Sequence, residues 1–221
     1  MTAEIVIASA EARAQYPLAA EYPMHFRKTY FAARLHGDPK VEYDCSLTAS
    51  ELIGLPPPIG YTDREFRSCL IPGSPYRRLS PFDADAEDSN LRRAKDLPLA
   101  AAAGLWRMAE DARALLQKLH AGGLAHGDAE LQNFIVSSAP LEVILVDFEC
   151  AVRRADVDEH AWRKRCAADH EPLLKEAIFL QVALGRQPSE LGEESWSAAP
   201  RLFRDGGRLQ RAVEQQGVLN P

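Results

Sequence analysis

Two stretches concentrate the residue types that handle phosphate: LHAGGLAHGDAELQNFIV over residues 119–136 and VILVDFE over residues 143–149. They set Asp128, Asn133 and Asp147 around two short apolar runs, Phe134–Val136 and Val143–Val146, separated by Ser137-Ser138-Ala139-Pro140, a pattern that predicts a strand pair. One polar group ahead of such a pair and another just after it reach the same mouth. Phosphoryl transfer needs this kind of set: a carboxylate to orient the attacking hydroxyl, and an amide oxygen with a second carboxylate to hold the magnesium that neutralises a triphosphate. Asp and Asn also cap turns and strand ends, but that reading leaves the combined spacing unexplained.

The pattern HGD-x4-N followed, after a strand pair, by DFE resembles the catalytic and metal-binding loops of the protein-kinase-like superfamily, whose kinase form is H-R-D-x4-N with D-F-G. The HGD and DFE variants are closest to its atypical members: aminoglycoside and choline phosphotransferases, small Bud32-type kinases and lipopolysaccharide sugar kinases. The resemblance implies that Asp128 is the catalytic base, Asn133 and Asp147 the metal ligands and His126 a scaffold for the loop. It implies ATP and Mg²⁺ as cofactors.

Upstream, the same resemblance implies a strand lysine on the phosphates, steadied by a helix glutamate. HFRKTYF is followed, 14 residues after its lysine, by Glu42, then LPPPIG, a strand and LIPG. Lys28 and Glu42 are therefore the leading pair; Arg34 or Lys40 could supply the cation instead, and Asp44 the acid. Leu70 and Ile71, just before Pro72-Gly73, resemble the hinge whose backbone receives adenine. Asp169 is placed like the family's buried aspartate that braces the catalytic loop, or is an ordinary acid near a helix N-terminus.

Two features depart from the pattern. No glycine occurs before Gly37, so a short loop of small residues, Ala8-Ser9-Ala10, would have to cover the phosphates. About 72 residues follow Glu149 without an A-P-E signal, which leaves little sequence for a large helical substrate domain.

The elements that must position these residues are expected as follows. Met24–Phe31 reads as a strand. Val41–Ile53 reads as a helix with Val41, Cys45, Ala49, Leu52 and Ile53 on one face, and Glu65–Ile71 as a further strand. Residues 74–97, with two prolines and the acidic run DADAED, have the composition of a solvated connection. Leu105, Met108, Ala112, Leu115, Leu116 and Leu119 recur at helical spacing between Pro98 and Ala121, and a second helical segment lies around Leu173–Leu184. The expected fold is α+β and two-lobed: a reduced, strand-rich N-lobe with one helix over 1–73, a linking segment over 74–97 and a mainly helical C-lobe over 98–221.

Composition fits this reading. With 221 residues, 46% hydrophobic and 26% charged, the chain can bury a core. A net charge of −6 argues against a general nucleic-acid binder. No secretory signal or run of about 18 apolar residues stands out, so a cytoplasmic protein without a membrane span is expected. Cys45, Cys69, Cys150 and Cys166 form no C-x-x-C pair and read as reduced thiols, and the spacing of His160, Cys166 and His170 matches no familiar zinc site. The acceptor expected is a protein Ser/Thr hydroxyl, with a sugar or amino alcohol as the alternative, and a non-catalytic scaffold as a different class of answer.

Overall fold

The computed structural model describes residues 2–31, 38–83, 87–138 and 140–185. The order of elements is β1 Thr2–Ile7, α1 Ala10–Gln15, α2 Leu18–Glu21, β2 Met24–Thr29, α3 Pro39–Ile53, β3 Gly60–Tyr61, β4 Glu65–Cys69, β5 Ser74–Pro75, α4 Tyr76–Leu79, α5 Glu87–Asp96 and α6 Leu99–Ala121. There follow β6 Leu124–Ala125, β7 Phe134–Ser138, β8 Leu141–Leu145, β9 Val152–Arg153 and α7 Glu159–Leu184. The fold is α+β. An antiparallel sheet in the order β1-β2-β4-β3 forms the N-terminal part; β5-β7-β8 and β6-β9 make two smaller sheets among the later helices.

Helix α3 shows how local chemistry fixes an element. Asp38 caps its start by accepting from the Lys40 amide at 2.8 Å, Pro39 occupies the first turn, and Gly54 ends it in the left-handed conformation at φ 75°. The helix thus begins two residues before Val41. Of the expected face, Cys45 and Ala49 are buried and Leu52 and Ile53 pack against the core, but Val41 is 44% exposed and Pro39 and Glu42 turn inward as well. A glutamate three residues before Cys45 shares its face, so the inward stripe includes a charge that an apolar count passes over.

The N-terminal part carries more than the one helix expected. Between β1 and β2 the chain forms α1, capped by Ser9 accepting from the Ala12 amide at 3.1 Å, and α2. Their Tyr16 and Ala19 pack with Ile59 and Cys69 in a small cluster. Helices of six and four residues present too little periodicity to be read from sequence. Strand β4 ends at Cys69, so Leu70 and Ile71 lie beyond it.

The described parts of 74–97 pack rather than connect, while residues 84–86 of the acidic run lie outside the described residues. Ser74 and Pro75 pair with Val136 and Ile135, Tyr76 is fully buried with its hydroxyl donating to the Leu105 carbonyl at 3.1 Å, and α5 packs on α7. Gly73 permits the approach to β7: at φ 151° an added Cβ would lie 2.6 Å from the Val136 carbonyl oxygen.

The main core lies between α6, α7 and the β7–β8 pair, with Leu116, Leu119, Leu145, Leu173 and Leu180 at its centre. Phe134 faces Leu145 and Val136 faces Val143 in the antiparallel register. Helix α7 starts at Glu159, well before the apolar segment read from sequence, because Asp158 caps it and the charged first turns face solvent; Pro172 sits within it. No helix among the described residues is long and apolar enough to cross a membrane.

Candidate active site

Lys28 lies on β2, and its side chain is almost wholly buried. Its ammonium donates to Glu42 Oε1 of α3 at 2.9 Å, to Asp147 Oδ1 and to Glu149 Oε2 at 3.2 Å. Asp147 is 119 residues further along the chain. Burial by itself would strip the lysine of its proton, but the charges of Glu42 and Asp147 outweigh it and hold the pKa above its ordinary value. Glu42, also buried, is pushed up to about 7 by desolvation against the pull of Lys28 and the Tyr30 hydrogen bond. The Tyr30 hydroxyl donates to Glu42 Oε2, so both carboxylate oxygens have a donor.

Asp128 and Asn133 are joined locally. The Asn133 amide nitrogen donates to the Asp128 carbonyl at 2.8 Å and to Asp128 Oδ2 at 3.1 Å, which turns the amide oxygen toward other partners. Asn133 closes a 3-10 turn, Leu131–Asn133, and its carbonyl receives the Val146 amide at 2.9 Å, tying the loop to the residue before Asp147. Asp147 itself has φ 72°, a left-handed conformation uncommon outside glycine that costs of order 1 kcal/mol.

Asp169 of α7 braces this loop through the backbone. Its Oδ2 accepts from the His126 amide and from His120 Nε2, its Oδ1 from the Gly127 amide, each at 2.8 Å. It lies ten residues inside α7, so the reading as an acid near the helix N-terminus does not hold. His126 is fully buried: Nε2 donates to the Val146 carbonyl at 2.9 Å and Nδ1 accepts from the Asp128 amide at 3.3 Å. Desolvation pushes its pKa down, which suits this neutral tautomer. Gly127 is required by the turn, since at φ 80° an added Cβ would sit 2.1 Å from the Cys150 carbonyl oxygen.

The structure therefore brings together Lys28, Glu42 and Asp147 directly, and Asp128 with Asn133. Lys40 lies apart, paired with Asp44 on the exposed face of α3 at 2.6 Å, and Arg34 falls outside the described residues. Leu70 and Ile71 lie between the four-stranded sheet and β5. Of Ala8-Ser9-Ala10, Ser9 caps α1 and Ala10 opens it. Lys28 pairs with Ala3 on β1, and Ala8 follows the last residue of that strand. Tyr30 and Glu149 were not singled out from sequence. Tyr30 shares the face of Lys28 by strand alternation, the one signal that could have found it.

Asp147, Glu149 and Asn133 carry oxygen donors of the kind a divalent cation takes. Lys28 occupies the carboxylates of Asp147 and Glu149, so a cation would have to displace it, and the Asn133 amide nitrogen rather than its oxygen is used on Asp128. Magnesium ordinarily takes one or two protein oxygens and completes its shell with water and phosphate, so an all-protein cage is not needed. Among the described residues no group of three or more His, Cys, Asp or Glu side chains could hold a metal, a zinc cluster at His160, Cys166 and His170 included.

No family model matches the chain. No curated protein matches it. Among solved structures, the Rio2 kinase of Chaetomium thermophilum, in an ADP/Mg²⁺-phosphoaspartate complex, is similar over 89% of this chain and 60% of its own, at 17% identity and TM-score 0.44. The granulovirus kinase PK-1 of Cydia pomonella is similar over 86% and 69%, at 9% identity and TM-score 0.43. The chain thus spans less than two thirds of the Rio2 chain. The architecture of the described residues is α+β: an antiparallel sheet bearing a buried lysine, a helix presenting a glutamate to it, and a mainly helical part that carries the polar loop and strand pair.

Proposed function

We propose that the chain is an ATP- and Mg²⁺-dependent phosphotransferase that moves the γ-phosphate to a hydroxyl group. The observation that carries this reading is the convergence of Lys28, Glu42 and Asp147 at one point, beside a loop in which Asp128 and Asn133 are hydrogen-bonded. Nucleotide would lie between an N-lobe over 1–73 and a C-lobe from 98 onward, its adenine received by the backbone of Leu70 and Ile71 in the hinge.

In this mechanism Asp128 accepts and orients the acceptor hydroxyl. Lys28, steadied by Glu42, exchanges its contact with Asp147 for phosphate oxygens. Asn133 and Asp147 would hold Mg²⁺, which when bound neutralises charge on the phosphates. Asp169 keeps the His126 and Gly127 amides fixed, so Asp128 is presented without reorganisation. Asp128 is partly exposed, which suits a hydroxyl presented on a protein Ser or Thr; a sugar or amino alcohol would use the same groups.

A non-catalytic nucleotide-binding module is the second reading, favoured by the extra carboxylate of Glu149 on Lys28. Binding is tested by Asp147→Asn, which is expected to abolish the Mg²⁺-dependent thermal shift with ATP while the fold persists. An undiminished shift in the variant would remove Asp147 from the metal site.

A further inference from the structure

We infer that Tyr30 is a positioning residue for nucleotide, acting through Glu42; this rests on the kinase reading above. Three observations combine. Glu42 has one oxygen on Lys28 at 2.9 Å and the other on the Tyr30 hydroxyl, so the phenol fixes the rotation of the carboxylate that aims the lysine. Tyr30 and Glu42 are both buried, so no solvent molecule is in place to substitute for the phenol. The Tyr30 backbone is itself pinned, its amide donating to the Arg64 carbonyl at 2.8 Å in the loop before β4.

Burial, then the charge of Glu42, raises the Tyr30 pKa well above its ordinary value, so the phenol stays protonated and remains a donor. Losing that donor leaves a buried carboxylate oxygen unsatisfied, a large penalty for a charged group. The carboxylate then relaxes toward whatever donor it can reach, and Lys28 loses its fixed direction. Asp147 and Glu149 still partner the lysine, so the cation remains paired and the fold has no buried orphan charge.

The test is a double-mutant cycle on Mg-ATP affinity, measured by calorimetry on wild type, Tyr30→Phe, Glu42→Ala and the double variant, each checked for folding by circular dichroism. Phenylalanine keeps the ring packing. Tyr30→Phe is expected to weaken binding roughly tenfold in the wild-type background and by less than about twofold in the Glu42→Ala background, because its effect passes through that carboxylate. A purely structural tyrosine would lower the melting temperature similarly in both backgrounds and leave affinity of the folded protein unmoved. Equal affinity losses in both backgrounds, or none in either, would overturn the inference while the kinase reading stood. Absence of any Mg-ATP binding by wild type would instead overturn the kinase reading and this inference with it.

Discussion

The two halves of the candidate site are held in opposite ways. Around Lys28 the structure gathers full charges: one ammonium and three carboxylates from β2, α3 and the segment after β8. Around Asp128 the same precision is reached with backbone amides, two of them pointing at the single buried acid Asp169. The ionic half depends on protonation and can exchange partners, which suits the phosphate contact proposed for Lys28. The amide-braced half has no partner to exchange, which suits the role of base proposed for Asp128.

This contrast can be broken most forcefully at Asp128. Asp128→Ala is expected to lower phosphate transfer about 10²-fold or more while ATP affinity stays within several-fold, since the phosphates are assigned to the other half. Melting temperature, ATP affinity and transfer measured on one preparation decide the matter. Unchanged transfer in the folded variant would remove Asp128 from the chemistry.

Next in size is the ionic half. Lys28→Ala is expected to weaken ATP binding by about ten- to a hundredfold, through loss of a charge-assisted contact and mutual repulsion of the carboxylates left behind. Lys40→Ala should change it by less than about twofold, because that lysine lies on the exposed face of α3 with Asp44. Arg34→Ala completes the set. A loss confined to Arg34→Ala would move the phosphate cation out of β2.

The smallest effect sharpens what a buried acid does without a lysine. Glu176 of α7 is buried against the Ser80 hydroxyl at 2.9 Å and the Tyr76 hydroxyl at 3.4 Å, and desolvation pushes its pKa up to about 7 from an ordinary 4.5. The folded state therefore holds its proton more tightly than the unfolded chain. Stability from this group is fully present below about 4.5 and falls as pH rises to about 7. Glu176→Gln should leave the melting temperature near wild type at pH 5 and raise it by about 4 °C at pH 8. A difference between the two proteins that is the same at both pH values would show that Glu176 is ionised in both states.

The strand pair, the polar loop between Leu119 and Val136 and the long helix before it were legible because each is specified by neighbours in sequence. Leu105, Ala112, Leu116 and Leu119 mark one helix face, and Asn133 reaches Asp128 across five residues. The meeting of Lys28 with Asp147 spans 119 residues, and no local pattern encodes it. The Lys28–Glu42 pairing could be ranked but not chosen over Lys40 and Asp44, because only packing decides which face of α3 turns inward. Residue types and spacing thus determined the kinds of groups available and the loop that carries Asp128 and Asn133. Tertiary structure alone decided that Tyr30 and Glu149 join the cluster and that Tyr76 packs into the core, since each depends on burial against distant surface rather than on local backbone preference.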